Sequence, residues 1–151
     1  MYLAKSFMSD KKKRNSQQPL ILAVEDNDDS LLLISYALES LGCRFICQQD
    51  STNTVLVAKE YQPDLIMLDI LLPSLNGIDV ISYLKQEPLT REIPVVAVTA
   101  LADREDQERI LKAGFDEYLC KPYMIEDLEA VIRRLLCGKF QFASAYQLCQ
   151  E

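Results

Sequence analysis

Apolar positions in this chain fall into short unbroken runs, separated by longer stretches in which they recur at helical spacing. "LILAV" (20–24) reads as a buried strand. From Asp28 to Leu41 the pattern puts Leu31, Ile34, Leu38 and Leu41 on one helical face, and Gly42 follows as a stop. "RFICQ" (44–48) predicts a second strand, and Ser51 to Tyr61 a second helix despite the β-branched residues in "TVLV". "DLIMLD" (64–69) is a third strand and "NGIDVISYLKQ" (76–86) a helix with Ile78, Ile81 and Leu84 aligned. "PVVAVTA" (94–100), a helix from Asp103 to Ala113 before Gly114, and "EYLCK" (117–121) come next. Ile125 to Cys137 closes the series, with Leu128, Val131, Ile132, Leu135 and Leu136 facing inward and Gly138 as its stop.

Five strands therefore alternate with five helices. Strands this uniformly apolar belong in a parallel sheet covered on both faces. Right-handed crossovers then give an α/β fold, a doubly wound five-stranded parallel sheet sandwiched by five helices. Residues 19–137 form that unit, 1–18 a flexible basic tail and 138–151 an extension rich in aromatic residues.

Charge refines this picture. Residues 1–14 hold five basic residues and one acid, including the run Lys11 to Arg14, while the whole chain carries a formal charge of −7. An acidic body argues against nucleic-acid binding. No apolar run is long enough to span a bilayer, and the N-terminus lacks the order of a secretory signal, so a cytoplasmic protein is expected. The five cysteines form no CxxC pair and are expected to be inert fillers. Histidine is absent, which excludes every triad built on that residue. If phosphate passes through this chain, any donor histidine lies on another protein.

In a doubly wound sheet the functional crevice lies beyond the carboxyl ends of the strands. The first strand ends in Glu25 and Asp26, the third in Asp69, the fourth in Thr99, and the fifth in Lys121 followed by Pro122. Each alone is weak, because an acid after a strand often caps the next helix. That reading suits Asp28 and Asp29, which open the first helix. Glu25 and Asp26 come too early for it, and Asp69 precedes no helix start. Like charges about 4 Å apart cost roughly 4 kcal/mol per pair at the effective dielectric of a protein surface, so three clustered carboxylates call for a cation. With only hard oxygens at hand, magnesium is the expected ion. A carboxylate can also take up a phosphoryl group as nucleophile. A magnesium ion, Lys121 and Thr99 would surround such a group on Asp69.

The segments "ILAVEDN", "PDLIMLDILLPSLNGIDVI", "IPVVAVTA" and "AGFDEYLCKPY" closely resemble the receiver domain of two-component response regulators, a flavodoxin-like fold, over residues 19 to about 137. The resemblance implies that Asp69 is the phosphoacceptor. It implies that Glu25 and Asp26 flank magnesium, Asp26 more directly and Glu25 through water, with the Leu71 backbone carbonyl as a further ligand. Lys121 would pair with the phosphoryl oxygens, its bond to Pro122 would be cis, Thr99 would be the switch hydroxyl and Tyr118 the switch aromatic. Gly77 would serve the tight turn before the third helix. Leu71 and Leu101 occupy the two variable positions beside the phosphoryl group, and neither can orient a water, so self-dephosphorylation is expected to be slow. The implied protein is a stand-alone signalling phosphoacceptor, not an enzyme on other substrates. Its donor would be a histidine kinase or phosphotransfer protein, and its output a protein bound on the Tyr118 face. The alternatives are an unphosphorylated scaffold and an aspartate-nucleophile phosphatase; Leu71 stands where the phosphatase needs a second acid. Crowding at the acidic end of the first strand further predicts that the metal-free protein is less stable than its Asp26→Asn variant.

Overall fold

The computed structural model describes residues 18–70, 76–100 and 103–140. Its strands are β1 (Leu20–Val24), β2 (Arg44–Gln48), β3 (Leu65–Asp69), β4 (Val95–Thr99) and β5 (Glu117–Cys120). All pair in parallel, in the order β2-β1-β3-β4-β5. Every residue of β1 to β4 is buried, the apolar majority together with Arg44, Gln48, Asp69 and Thr99 at strand ends. The pleat sends alternate side chains to opposite faces, and each face is covered. Along β3, Leu65 and Met67 join one core layer while Ile66 and Leu68 join the other.

The α-helices among the described residues are α1 (Asp28–Ser40), α2 (Thr54–Tyr61), α3 (Gly77–Gln86), α4 (Arg104–Ala113) and α5 (Ile125–Leu136). α1 and α5 cover one face through Leu31, Ile34, Leu38, Leu128, Ile132 and Leu136. α2, α3 and α4 cover the other through Ala58, Val80, Ile81, Leu84 and Ile110. Each helix returns the chain to the starting edge of the sheet, so all strand ends that carry chemistry gather at the opposite edge.

Two local expectations change. The cap of α1 is Asn27, not Asp28 or Asp29. Asn27 holds the extended backbone a cap needs (φ −91°, ψ 125°), and its Oδ1 accepts from the Ser30 N–H at 2.8 Å. Asp28 and Asp29 lie one residue further in, in the first turn, where their charge suits the helix dipole. The segment from Ser51 is also not one helix. Ser51–Asn53 form a 3₁₀ turn, started by Asp50 accepting from the Thr52 N–H, and the α-helix begins at Thr54. Tight turns of this kind are common at helix starts. Val55 and Val57 stay helical because they pack on the core, which outweighs their weak helix preference. The remaining elements match their sequence-predicted bounds to within a residue at each end.

Candidate functional site

Strand order places β3 between β1 and β4, with β5 beyond β4. Asp69 at the end of β3 is therefore flanked by Glu25 and Asp26 on one side and Thr99 on the other. Ladder bonds continue past the strand ends and fix these residues: the Glu25 N–H donates to Gln48 O at 3.0 Å, Ile70 N–H to Val98 O at 3.1 Å, and Lys121 N–H to Thr99 O at 2.8 Å. The rim is thus an extension of the sheet.

Carboxylate oxygens of Glu25, Asp26 and Asp69 lie within 4.8 Å of one another. Glu25 is only 2% exposed and Asp69 6%, whereas Asp26 faces solvent. Lys121 reaches across β4 into this cluster. Its Nζ is 3.1 Å from Glu25 Oε1 and 3.2 Å from Asp69 Oδ2. The ammonium offsets part of the repulsion that the sequence raised. Asn27 adds a backbone N–H to Glu25 Oε2 at 3.3 Å.

Protonation follows from this packing. Burial, then the charge of Asp69, raises the Glu25 carboxyl above its ordinary value, against the pull of Lys121. Burial pulls the Lys121 ammonium down, but its hydrogen bond to Glu25 and the charge of Asp69 outweigh that and hold it above the ordinary lysine value. Burial and the same two carboxylates push the Tyr123 hydroxyl up to about 12. Three hard oxygen donors with no nitrogen or sulfur ligand fit a magnesium-like cation.

Gly77 explains how the site keeps its shape. Its N–H donates to Ile70 O at 2.9 Å, and a Cβ there would lie 2.8 Å from Ile70 Cα and 3.0 Å from Asp69 O. Only hydrogen fits, so the start of α3 rests directly on the backbone that carries Asp69.

The structure brings together Glu25, Asp26, Asp69 and Lys121, with Thr99 fully buried on the neighbouring strand end. The Lys121–Pro122 bond is cis, as expected. Asp28 accepts from the Gln49 amide and Asp29 faces solvent, so the acidic end of β1 divides between the cluster and the helix start. Tyr118 is half-buried, and its hydroxyl donates to Gln107 Oε1 on α4 at 2.8 Å. Leu71, Leu101, the run Lys11 to Arg14 and residues 141–151 lie outside the described residues. Sequence reasoning passed over Tyr123, whose only signal was its place two residues after Lys121. It also passed over the ion pair between Lys121 and Glu25, 96 positions apart.

A strand-end aspartate ringed by two further acids and a lysine, on a sheet of order 2-1-3-4-5, is an arrangement of the receiver class. Residues 21–133 match the response regulator receiver domain, and the chain belongs to that family, the signalling phosphoacceptors of two-component systems. It is 39% identical over 119 residues to the phosphate regulon transcriptional regulatory protein PhoB of Escherichia coli, a match covering 76% of this chain and 52% of that protein. The chain thus spans about half the length of that relative. It is 35% identical over 116 residues to the polar-differentiation response regulator DivK of Brucella anthropi, covering 77% of this chain and 94% of that one. Among solved structures, the receiver domain of sensor histidine kinase PA1611 from Pseudomonas aeruginosa superposes with a TM-score of 0.74 at 33% identity, covering 79% of this chain and 98% of that one. That domain was solved with a magnesium ion coordinated in its active site cleft. Chemotaxis response regulator CheY4 of Vibrio cholerae shares the fold, with a TM-score of 0.75 at 21% identity, covering 79% of this chain and 99% of that one. No helix among the described residues is long and apolar enough to cross a membrane.

Proposed function

We propose that this protein is a response regulator that accepts a phosphoryl group on Asp69 from a partner histidine kinase or phosphotransfer protein, with magnesium held by Glu25, Asp26, Asp69 and the Leu71 carbonyl. The observation that carries this reading is Lys121, whose ammonium bridges Glu25 and Asp69 inside a three-carboxylate cluster. Asp69 is held at a strand end with that ammonium 3.2 Å from its Oδ2. One of its oxygens attacks phosphorus in line; an O–P bond forms as the donor's P–N bond breaks, and the electron pair leaves on the donor nitrogen. Lys121 stays on the phosphoryl oxygens, and Thr99 turns its hydroxyl toward them. When bound, magnesium supplies further neutralisation of those oxygens. Tyr118 follows Thr99 inward, releasing Gln107 and reshaping the face of α4, β5 and α5 for a downstream protein. The protein works in the cytoplasm and catalyses only its own phosphorylation and dephosphorylation. Residues 19–137 make up this receiver unit, between a basic tail (1–18) and an extension (138–151).

The test is intact mass after incubation with magnesium and a small phosphoryl donor. The expected result is gain of one phosphoryl group, absent in Asp69→Asn. No gain with excess donor would overturn the reading and favour an unphosphorylated scaffold.

A further inference from the structure

Of the described helices, α4 is the most lightly anchored. Ile110 is its one fully buried residue, whereas α5 buries Leu128, Val131, Ile132, Arg133 and Leu136. An element with few buried apolar contacts lies at the low end of local stability and moves most readily. Whatever else ties α4 to the sheet therefore governs how freely it moves.

Gln107 is one such tie. It stands one turn before Ile110, and its Oε1 accepts from the Tyr118 hydroxyl at 2.8 Å. Its Nε2 lies 3.9 Å from Cys120 Sγ, within the reach of a weak donation to sulfur. Tyr118 and Cys120 are two residues apart on β5, so their side chains leave the same face of the sheet. On β4 their register partners are Ala97 and Thr99, which point to that face too. A single amide on α4 thus engages the two β5 side chains that neighbour the strand end carrying Thr99.

We propose that Gln107 is a latch of the resting state: its side-chain amide holds Tyr118 against α4 and so sets how often the unphosphorylated protein samples the inward arrangement of Tyr118. The inference rests on the phosphoacceptor reading above and concerns the regulation of that site. Gln107 acts through Tyr118 and is a positioning residue. Tyr118 cannot turn inward without breaking this hydrogen bond, and a neutral hydrogen bond shifts such an equilibrium about fivefold. A phosphoryl group on Asp69 favours the inward arrangement, so its apparent affinity rises by the factor by which the free protein populates that arrangement more often.

Beryllium fluoride with magnesium, a phosphoryl mimic, tests this in the full chain by calorimetry. Gln107→Leu keeps the bulk of the side chain and removes the acceptor; it should bind the mimic about fivefold more tightly than the parent. Gln107→Glu keeps an oxygen acceptor and should bind no more tightly than the parent. In a Tyr118→Phe background, which lacks the hydroxyl, adding Gln107→Leu should leave the affinity unchanged to within about twofold. Fluorine NMR of fluorotyrosine-labelled protein gives a second readout, without mimic. The Tyr118 resonance, assigned by its loss in Tyr118→Phe, should move in Gln107→Leu toward its position in the mimic-bound parent. Equal affinity in the parent and Gln107→Leu, a gain shared by Gln107→Glu, a gain that persists without the Tyr118 hydroxyl, or a Tyr118 resonance that stays in place would overturn the latch alone. A parent that binds no mimic would overturn the phosphoacceptor reading and the latch with it.

Discussion

Lys121 holds its ammonium 3.2 Å from Oδ2 of Asp69, a residue 52 positions away in sequence and two strands away in the sheet. The same nitrogen sits 3.1 Å from Glu25. The lysine thereby acts as the resident cation of a pocket that would otherwise hold only negative charge, and it places a positive group where phosphoryl oxygens would arrive.

Removing that cation should cost stability before it costs function. In Lys121→Met, two buried carboxylates lose their counter-charge. Breaking a buried pair costs about 3–5 kcal/mol; because the lysine side chain is 31% exposed, about 1–3 kcal/mol is expected at pH 7. Urea unfolding measures it, and millimolar magnesium should restore most of the loss by supplying a second cation. A variant as stable as the parent without metal would show that the ammonium is not neutralising the cluster.

Gly77→Ala tests the seat of Asp69 from the other side. The added methyl meets backbone atoms at 2.8 and 3.0 Å, which cannot rotate away as a side chain would. Overpacking of this kind costs about 1–3 kcal/mol, or a fall of roughly 4 °C or more in Tm for a domain of this size. Thermal unfolding decides it; an unchanged Tm would mean that α3 shifts freely and does not fix the strand end.

These two residues also show what the sequence could and could not disclose. The strands were legible because runs such as "LILAV" and "VVAV" are uniformly apolar, and the rim because four of the five strands end in polar residues. Helix stops were legible from Gly42, Gly114 and Gly138, which all take positive φ. The cap of α1 was not, since Asn27, Asp28 and Asp29 are chemically alike as caps and only backbone angles separate them. The pairing of Lys121 with Glu25, and the contact of Gly77 with Ile70, depend on distances across the sheet that no local pattern encodes. The crowding of three acids was legible from the strand ends, whereas its partial relief by the Lys121 ammonium was not, for the same reason.

Asp26 should therefore matter for metal more than for folding. Because Asp26 faces solvent, Asp26→Asn without metal should be the more stable form, as expected from sequence, but by no more than about 0.5 kcal/mol. Magnesium at 100 times its dissociation constant should stabilise the parent by about 2.7 kcal/mol, and the variant far less at the same concentration. Thermal shift across a magnesium series separates the two. Equal shifts would remove Asp26 from the ligand set.

Slow loss of phosphate is expected once Asp69 is modified. Leu71 and Leu101 carry no polar atom on their side chains and cannot hold a water in line with the acyl phosphate. Intact mass followed after donor removal should show phosphoprotein persisting for minutes or longer. A lifetime of seconds in purified protein would rule this out.

Alkaline pH offers a test of the core that leaves the site alone. Burial pushes the Cys43 thiol, beside the charge of Asp64, and the Cys47 thiol up to about 12 from an ordinary 9.0. Both cysteines sit in the layer between the sheet and α1. Between pH 9 and 12 the folded protein keeps these protons while the unfolded chain loses them. Proton binding is then greater in the native state, so stability falls as pH rises, by about 1.4 kcal/mol per pH unit for each thiol. Below pH 9 both states hold the protons and the effect vanishes. Urea midpoints measured from pH 8 to 10.5 should fall more steeply for the parent than for a Cys43→Ala, Cys47→Ala double variant, whatever the variant's absolute stability. In native protein at pH 8 a thiol reagent should modify exposed Cys137 and leave Cys43 and Cys47 untouched. Parallel pH slopes, or rapid modification of Cys43 or Cys47, would mean that the layer beneath α1 opens to solvent more readily than its packing implies.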